Sequence, residues 1–485
     1  MENNLRSRET PAAAVSRNHH LNLKQLGAVW LGKALIGATR ISGRGGTTLP
    51  GRTALRFFPD LLPALAGQLS HGNLLVTGTN GKTTTSTLLT GILKRAGYRC
   101  VHNQSGSNMS WGVASSLIGS SSWQARLPGD IGVMEVDEGA FPALVEKLQP
   151  RGVIVTNIFR DQLDRYGEVD HIQKSIGQGL HSLPADGFMV LNADDPSLTS
   201  IEDNGQAARW YYGLELELPP DHSQNTGRDI KSCPRCHQKL HFDQVYFAHL
   251  GRYRCLACDF KRPEPDVKLM RRDLNSGGTT TLELLIRGEP LRAAYPLLGI
   301  YNLYNALASV TCAAALGVST AVIKAALEEA EPSFGRMERF AMEERTLLMA
   351  LIKNPVGANE VLRTVIEQQS GAHLLIAIND RVADGTDVSW LWDVDFEQLA
   401  GNEKQLSSVI VTGARALDMA VRLKYAGLPP AAIRVETNMK QAVLNSLEQT
   451  PPGETLFILP NYTAMLEMRR MLNAMGVGRP YWEGT

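Results

Sequence analysis

The stretch LLVTGTNGKTTTSTLLTGIL, Leu74–Leu93, decides the fold. Its apolar start reads as a buried strand, its middle as a glycine turn and its end as a helix. In that order the three form a phosphate-binding loop. Gly78 and Gly81 let backbone N–H groups close on phosphate oxygens, and the helix N-terminus favours negative charge. Lys82 supplies a cation, and the Thr83 hydroxyl is a candidate Mg²⁺ ligand. Thr79, Asn80 and Thr84 complete the loop. The pattern departs from the common G-x-x-x-x-G-K-[ST] form, because Val76 holds the first glycine position.

Outward from this loop, further apolar runs alternate with helix-length segments: IGVMEV from Ile131, GVIVTNI from Gly152 and FMVLNAD from Phe188. Such alternation predicts parallel β-α-β units. A second series, HLLIAIND from His373, SVIVTGA from Ser408 and TLFILPN from Thr455, predicts a separate α/β domain. The expected fold is therefore α/β: a central phosphate-loop domain over 61–335 and a smaller Rossmann-like domain over 336–485. Residues 1–20 read as a disordered tail without the apolar core of a secretion signal. Residues 21–60 read as a helix followed by a glycine-rich loop, GRGGTTLPG (Gly43–Gly51).

The length of 485 residues suits two or three domains, and 43% hydrophobic with 20% charged residues excludes a mainly disordered chain. Lys plus Arg and Asp plus Glu each number 49, so no basic excess points to nucleic acid. No apolar run approaches the ~20 residues that span a bilayer. Neutrality is uneven, however: residues 1–60 carry nine Lys or Arg against three acids. The setting expected is cytoplasmic, with peripheral contact at the inner face of the membrane left open beside plain packing of the first helix.

Six cysteines are too few for a disulfide scaffold in so long a chain. Cys233-x-x-Cys236 and Cys255-x-x-Cys258, eighteen residues apart, have the spacing of a four-thiolate zinc ribbon, inserted at about 228–262. Four sulfurs leave no open position, so the zinc would be structural; two redox pairs or free thiols are the other readings. Cys100 and Cys312 lie in strand-like and helix-like apolar settings, and neither resembles a nucleophile in a glycine-flanked turn.

TGTNGKTTT is similar to the loop of Mur ligases and folylpolyglutamate synthases, which join a carboxylate to an amine using ATP. MEVDEG (134–139), TNIFRDQLDRYG (156–167), LNADDP (191–196), GIYNLYNALA (299–308) and FGRMER (334–339) extend the resemblance in order. It implies a Mur-ligase-type central domain, with Glu135 holding Mg²⁺ beside Thr83, Asn302 and Asn305 near the adenine, and Arg336 near the phosphates. Gln162 stands where many relatives carry His, which puts a second metal there in doubt. In VHNQSGSNMSWG (101–112), His102, Asn103 and Asn108 are candidates for the acceptor site.

Between Asp380 and Glu397 lie six acids: Asp380, Asp384, Asp387, Asp393, Asp395 and Glu397, offset in that segment by Arg381 alone. Trp390 and Trp392 between them suggest a contact surface. With KNPVGANEV (353–361) and LPNYTAML (459–466), this segment resembles the Mur-ligase-like subunits of lipid II isoglutaminyl synthases over nearly the whole chain. That resemblance implies a heterodimer with a GatD-like glutaminase and, as reaction, ATP-dependent amidation of the D-glutamate α-carboxylate of lipid II to D-isoglutamine in peptidoglycan synthesis. It also implies that Asp387, in Asp384-Gly385-Thr386-Asp387-Val388-Ser389-Trp390, completes the partner's Cys-His pair. Two other readings stay open on the residues: a self-sufficient amino acid ligase, and a non-enzymatic zinc-ribbon binding module.

Overall fold

The computed structural model describes residues 21–41, 48–103, 107–159, 169–202, 206–217, 230–275, 279–332, 335–342, 344–368, 371–400 and 406–477. The readings made for the first twenty residues, for Gly43–Thr47, for Asp161–Asp164 and for the ribbon's leading edge at 228–229 lie outside them.

The central sheet is built from β1 (Asn73–Thr77), β2 (Cys100–His102), β3 (Ile131–Glu135), β4 (Gly152–Val155), β5 (Phe188–Asn192) and β6 (Ala208–Leu214). A hairpin of β7 (Leu240–Phe247) and β8 (Leu250–Cys255) stands apart as its own sheet. The chain then adds β9 (Val267–Leu274), β10 (Thr280–Ile286) and β11 (Glu289–Tyr295) to the first sheet. Among the described residues that sheet runs β11-β10-β9-β6-β5-β4-β1-β3-β2. β1, β3, β4 and β5 are buried at every position, as parallel strands covered on both faces must be.

Parallel pairing holds from β2 to β9, but β9, β10 and β11 are antiparallel. The sequence reading expects only parallel units here. The signal for the meander is local: Arg287 and Gly288, both at positive φ, turn the chain between Ile286 and Glu289 in the two-residue manner favoured by hairpins.

One face of this sheet carries the helices Lys82–Arg95 and Ile300–Ala315 around Leu89, Ile92, Leu303 and Leu307. The other carries the helices Leu23–Ile41, Leu49–Phe57, Leu61–Ala66 and Ser110–Ser120 around Val29, Leu65 and Val113. The first of these begins on a reciprocal cap: Gln25 N donates to Asn22 Oδ1 (2.9 Å) and Asn22 N to Gln25 Oε1 (3.0 Å). The segment read as a loop to Gly51 needs correction, since Leu49, Pro50 and Gly51 already form a helical turn. Pro50 fits the first turn, where its missing N–H costs nothing. Gly51 is there for approach rather than flexibility: a Cβ on it would stand 2.0 Å from the Trp111 carbonyl oxygen.

The second sheet comprises β12 (Arg336–Met342), β13 (Arg345–Ala350), β14 (Ala372–Ala377), β15 (Leu406–Thr412), β16 (Ile433–Val435) and β17 (Thr455–Pro460), in the order β12-β13-β17-β14-β15-β16. All but β12 are parallel. Helices cover both faces, with cores around Phe396, Met419 and Phe457 on one side and Met465 and Met468 on the other.

Candidate active site

β1 lies between β3 and β4, so the loops leaving the carboxyl ends of these three strands meet, as ligand sites in α/β sheets require. The glycine loop follows β1 and is pinned by the loop after β4. Asn80 N donates to Asn157 Oδ1 (2.9 Å), and Thr156 Oγ1 and Asn157 Nδ2 both donate to Asn80 O (2.7 and 3.1 Å). Gly78 (φ 120°) and Gly81 (φ 88°) adopt conformations that L side chains rarely reach. Added Cβ atoms would stand 2.3 Å from Thr156 Oγ1 and 2.1 Å from Asn305 Oδ1.

Lys82 opens the helix Lys82–Arg95 and folds its ammonium back to Gly78 O (2.5 Å) and Glu138 Oε2 (3.0 Å). Both partners of this ion pair are nearly buried, at 10% and 6% side-chain exposure. Glu138 is a residue that sequence reasoning passed over, although it stands in the quoted MEVDEG. Glu135, at the end of β3, is buried, and its Oε2 has no hydrogen-bond partner among the described residues. A buried carboxylate oxygen without a donor is costly unless a cation is expected. Thr83, half-buried in the first turn of the same helix, is the second oxygen donor on this side. The two fit a hard, oxygen-seeking cation such as Mg²⁺.

Behind the loop opens a cleft whose walls include Asn80, Gly81, Thr84, Asn305 and Arg336. Asn302 is not in that lining. It sits one layer back, donating to Leu298 O (2.7 Å) and accepting from Asn305 Nδ2 (3.3 Å), so it orients Asn305. The second domain forms the facing wall with Leu351, Gly357 and Glu360. Asn354 Nδ2 donates directly across to Asn80 Oδ1 (3.0 Å). Phe247 and Leu250, at the tip of the ribbon hairpin, also line the cleft. No local sequence signal placed them there, since only the tertiary fold returns the hairpin to the phosphate loop.

At the far end of the hairpin, the thiol sulfurs of Cys233, Cys236, Cys255 and Cys258 all lie within 4.8 Å of one another. The Cys233–Cys258 and Cys236–Cys255 separations are 3.7 and 3.4 Å, near the about 3.8 Å edge of a tetrahedron with 2.3 Å Zn–S bonds. Two backbone turns aim these sulfurs: Cys233 N and Cys255 N donate to Gln238 O and Phe260 O. The donor set fits zinc. The other two cysteines stay apart: Cys100 is half-buried in β2, its thiol pushed up to about 11 by burial, and Cys312 is fully buried in the helix Ile300–Ala315.

Of the acceptor-loop candidates, Asn103 is fully buried and ties Ser107 O and both backbone groups of Glu135. It positions β3 rather than facing a ligand. Asn108 is half-buried, with its carbonyl accepting from Asp137 N. His102 meets Ser86 Oγ at 3.1 Å, and burial, with Lys94 adding repulsion, lowers its pKa to about 4. Its unfolded value lies near 6.5, so between these limits the unfolded chain binds more protons. Stability is expected to fall as pH drops from about 6.5 towards 4, and His102→Asn should flatten that slope in thermal melts. An unchanged slope would contradict the neutral buried imidazole.

In the second domain, the acidic segment is more internally bonded than its sequence implies. Asp380 pairs with Arg415 (2.8 Å), Glu397 with Arg422 (2.8 Å), and Arg381 is itself taken by Glu467. The expectation that Arg381 alone offsets these acids is therefore corrected, because Arg415 and Arg422 reach them from the N-cap and body of one other helix, Ala416–Tyr425. Asp384 is buried and accepts from Thr463 N (2.7 Å) and Thr463 Oγ1, fastening the loop to the helix Tyr462–Ala474. Asp387 is exposed. Ser389 N (2.8 Å) and Ser389 Oγ (2.9 Å) donate to it and hold its carboxyl below the usual carboxylate range. Trp390 is half-buried on the core, whereas Trp392 is 54% exposed beside Tyr425.

Family models match in two places: "Mur ligase middle domain" over residues 76–233 and "MurT ligase C-terminal" over 351–465. The chain is 34% identical to "Lipid II isoglutaminyl synthase (glutamine-hydrolyzing) subunit MurT" of Staphylococcus aureus, covering 93% of this chain and 98% of that protein. Among solved structures it resembles a pseudomurein peptide ligase type C from Methanothermus fervidus, with TM-score 0.64, 21% identity and coverage of 87% and 84% of the two chains. It also resembles a MurF ligase from Thermotoga maritima in complex with ADP, with TM-score 0.61, 14% identity and coverage of 87% and 85%. These two likenesses concern the fold.

Proposed function

We propose, since this chain belongs to the MurT family of Mur ligases, that it is the synthetase subunit of a lipid II isoglutaminyl synthase, a carbon–nitrogen ligase of peptidoglycan synthesis. The reaction makes an amide from a carboxylate, a poor electrophile. The α-carboxylate of the D-glutamate in the lipid II stem peptide attacks the γ-phosphorus of ATP; ADP leaves and an acyl phosphate forms. Ammonia then attacks the acyl carbon, phosphate leaves, and one proton is lost from nitrogen.

The observation that carries this reading is the glycine loop with Lys82 and Thr83 after β1, the adjacent end of β3 where Glu135 keeps a buried oxygen without a hydrogen-bond partner, and the cleft that loop residues Asn80, Gly81 and Thr84 line together with the second domain. Phosphoryl transfer is catalysed mainly by positioning and by neutralising charge. Lys82 turns from Glu138 towards the transferred phosphoryl group, and the loop amides orient the β- and γ-phosphates. Arg336 adds positive charge from the second domain. Asn305, oriented by Asn302, contacts the nucleotide from the helix Ile300–Ala315. Thr83 and Glu135 would hold Mg²⁺, which supplies charge neutralisation across the phosphates. Among the residues described here, neither Cys100 nor Cys312 is placed as a glutaminase nucleophile. The ammonia therefore comes from a GatD-like glutaminase, and Asp387, ionised and exposed, orients that partner's catalytic histidine.

The chain alone, given ATP, Mg²⁺ and ammonium, is expected to amidate lipid II. Incorporation of an amino acid instead would favour a self-sufficient ligase.

Cys233, Cys236, Cys255 and Cys258 would hold zinc as the structural cofactor of the ribbon, a role their sulfur cluster supports. About one zinc per chain is expected in metal analysis, and Cys255→Ser with Cys258→Ser should lose it and lower the melting temperature. Because Phe247 and Leu250 sit on the same hairpin, the zinc-free protein should also bind a fluorescent ATP analogue more weakly. Zinc-free protein with unchanged melting and nucleotide binding would contradict this assignment.

A further inference from the structure

The helix Leu23–Ile41 carries an apolar stripe on the side that does not pack. Its inner side holds the buried Ala28 and Val29, and Gly32 lies against Ile118. At spacings of three and four residues, its outward side presents Leu23, Gly27, Trp30, Leu31, Ala34 and Ala38, all exposed. A surface helix ordinarily places charges there. Among the described side chains on this outward face, Lys24 is the single charged residue.

Leu23 is 87% exposed and Trp30 50%. The patch continues onto Trp123, 64% exposed, whose carbonyl accepts from Trp30 Nε1 (2.7 Å). The Lys33 ammonium stands 5.6 Å from the Trp123 ring centroid. On the neighbouring helix Leu49–Phe57, Arg52 and Arg56 are exposed beside a 63% exposed Phe57. Charge in this region is one-sided although the chain as a whole is neutral. Between residues 10 and 129 the sequence has twelve Lys or Arg and one acid, Asp60.

We propose that this face is a membrane-contact surface for anionic lipid. The apolar stripe enters the boundary between headgroups and acyl chains, Trp30 and Trp123 sit at the interfacial level, and Lys24, Lys33, Arg52 and Arg56 meet lipid phosphates. Among the described residues no helix is long and apolar enough to cross a membrane, so the contact lies on the surface of the bilayer. The proposal rests on the lipid II reading above, because a bilayer-held substrate is met more often by an enzyme concentrated in the same plane.

Vesicle sedimentation of the chain together with its glutaminase partner tests it. Binding is expected to vesicles containing phosphatidylglycerol, to weaken on pure phosphatidylcholine and to fall with added salt. Lys24→Glu with Arg56→Glu should weaken it about fivefold or more per charge. Leu23→Ser with Leu31→Ser, which leaves Trp30 in place, should weaken it at least as much, with unchanged thermal melting. Wild-type protein that ignores anionic vesicles, or variants that bind as wild type, would overturn the proposal. So would a dimer in sedimentation velocity that the Leu23 and Leu31 substitutions break, since the face would then belong to a second copy of the chain. Amidation separates the two readings. With a short-chain, water-soluble lipid II analogue the variants should match wild type, while KM rises for lipid II in vesicles. Wild type that amidates neither substrate rejects the function, whereas the vesicle binding still decides the surface.

Discussion

Replacing Lys82 by Ala should lower ATP-dependent amidation by about 10²–10³-fold or more, the effect of removing a preorganised charge from a transferring phosphoryl group. The loss should appear with ammonium as well as with glutamine, because the step affected precedes arrival of the nitrogen. The substitution also takes its Lys82 ion pair from a nearly buried Glu138, and breaking a buried pair destabilises by up to about 3–5 kcal/mol. A double variant, Lys82→Ala with Glu138→Gln, removes that charge. It should regain much of the melting temperature without regaining activity. Recovery of activity along with stability would show that Lys82 serves the fold rather than the chemistry, and retained activity in the single variant would favour a binding module with a vestigial loop.

Asp387→Asn should separate the two half-reactions. Glutamine-driven amidation is expected to fall by about 10⁴-fold, the scale seen when a triad carboxylate is made neutral, while ammonium-driven amidation stays near wild type. The reason lies in where Asp387 sits: it is exposed, and its carboxylate takes hydrogen bonds from the neighbouring Ser389, so its loss disturbs little of this chain. Asp384, three residues earlier, gives the contrast. Buried and bonded to Thr463 and Arg381, it should cost stability and both activities when replaced by Asn. Equal loss of both activities in Asp387→Asn would mean a folding role.

Local order in the sequence carried far where chemistry and secondary structure coincide. The strand, glycine loop and helix around Lys82 could be read directly because the loop needs glycine at positive φ, an apolar strand before it and a lysine at the helix start. The ribbon was equally legible, since two Cys-x-x-Cys turns have one main use at that spacing. What stayed hidden depends on residues far apart in sequence. Asn302 shares a motif with Asn305, yet helical geometry turns one to the cleft and the other behind it. Glu138 gains meaning only once Lys82 folds back to it. Phe247 and Leu250 reach the cleft through the hairpin, and Arg415 and Arg422 reach the acidic segment from the helix Ala416–Tyr425 that follows β15. The apolar face of the first helix was half visible: its periodicity showed, but periodicity alone does not tell which of two apolar sides is covered.

The central claim is that this chain makes isoglutamine on lipid II with nitrogen delivered by a partner. The most direct test incubates lipid II, ATP and amide-¹⁵N glutamine with the chain and a copurified GatD-like glutaminase, then locates the label in the stem peptide by mass spectrometry. The account predicts label on the α-carboxyl position of D-glutamate only when both proteins and ATP are present. Label absent with both proteins and ATP, or an added amino acid in place of the amide, would contradict it.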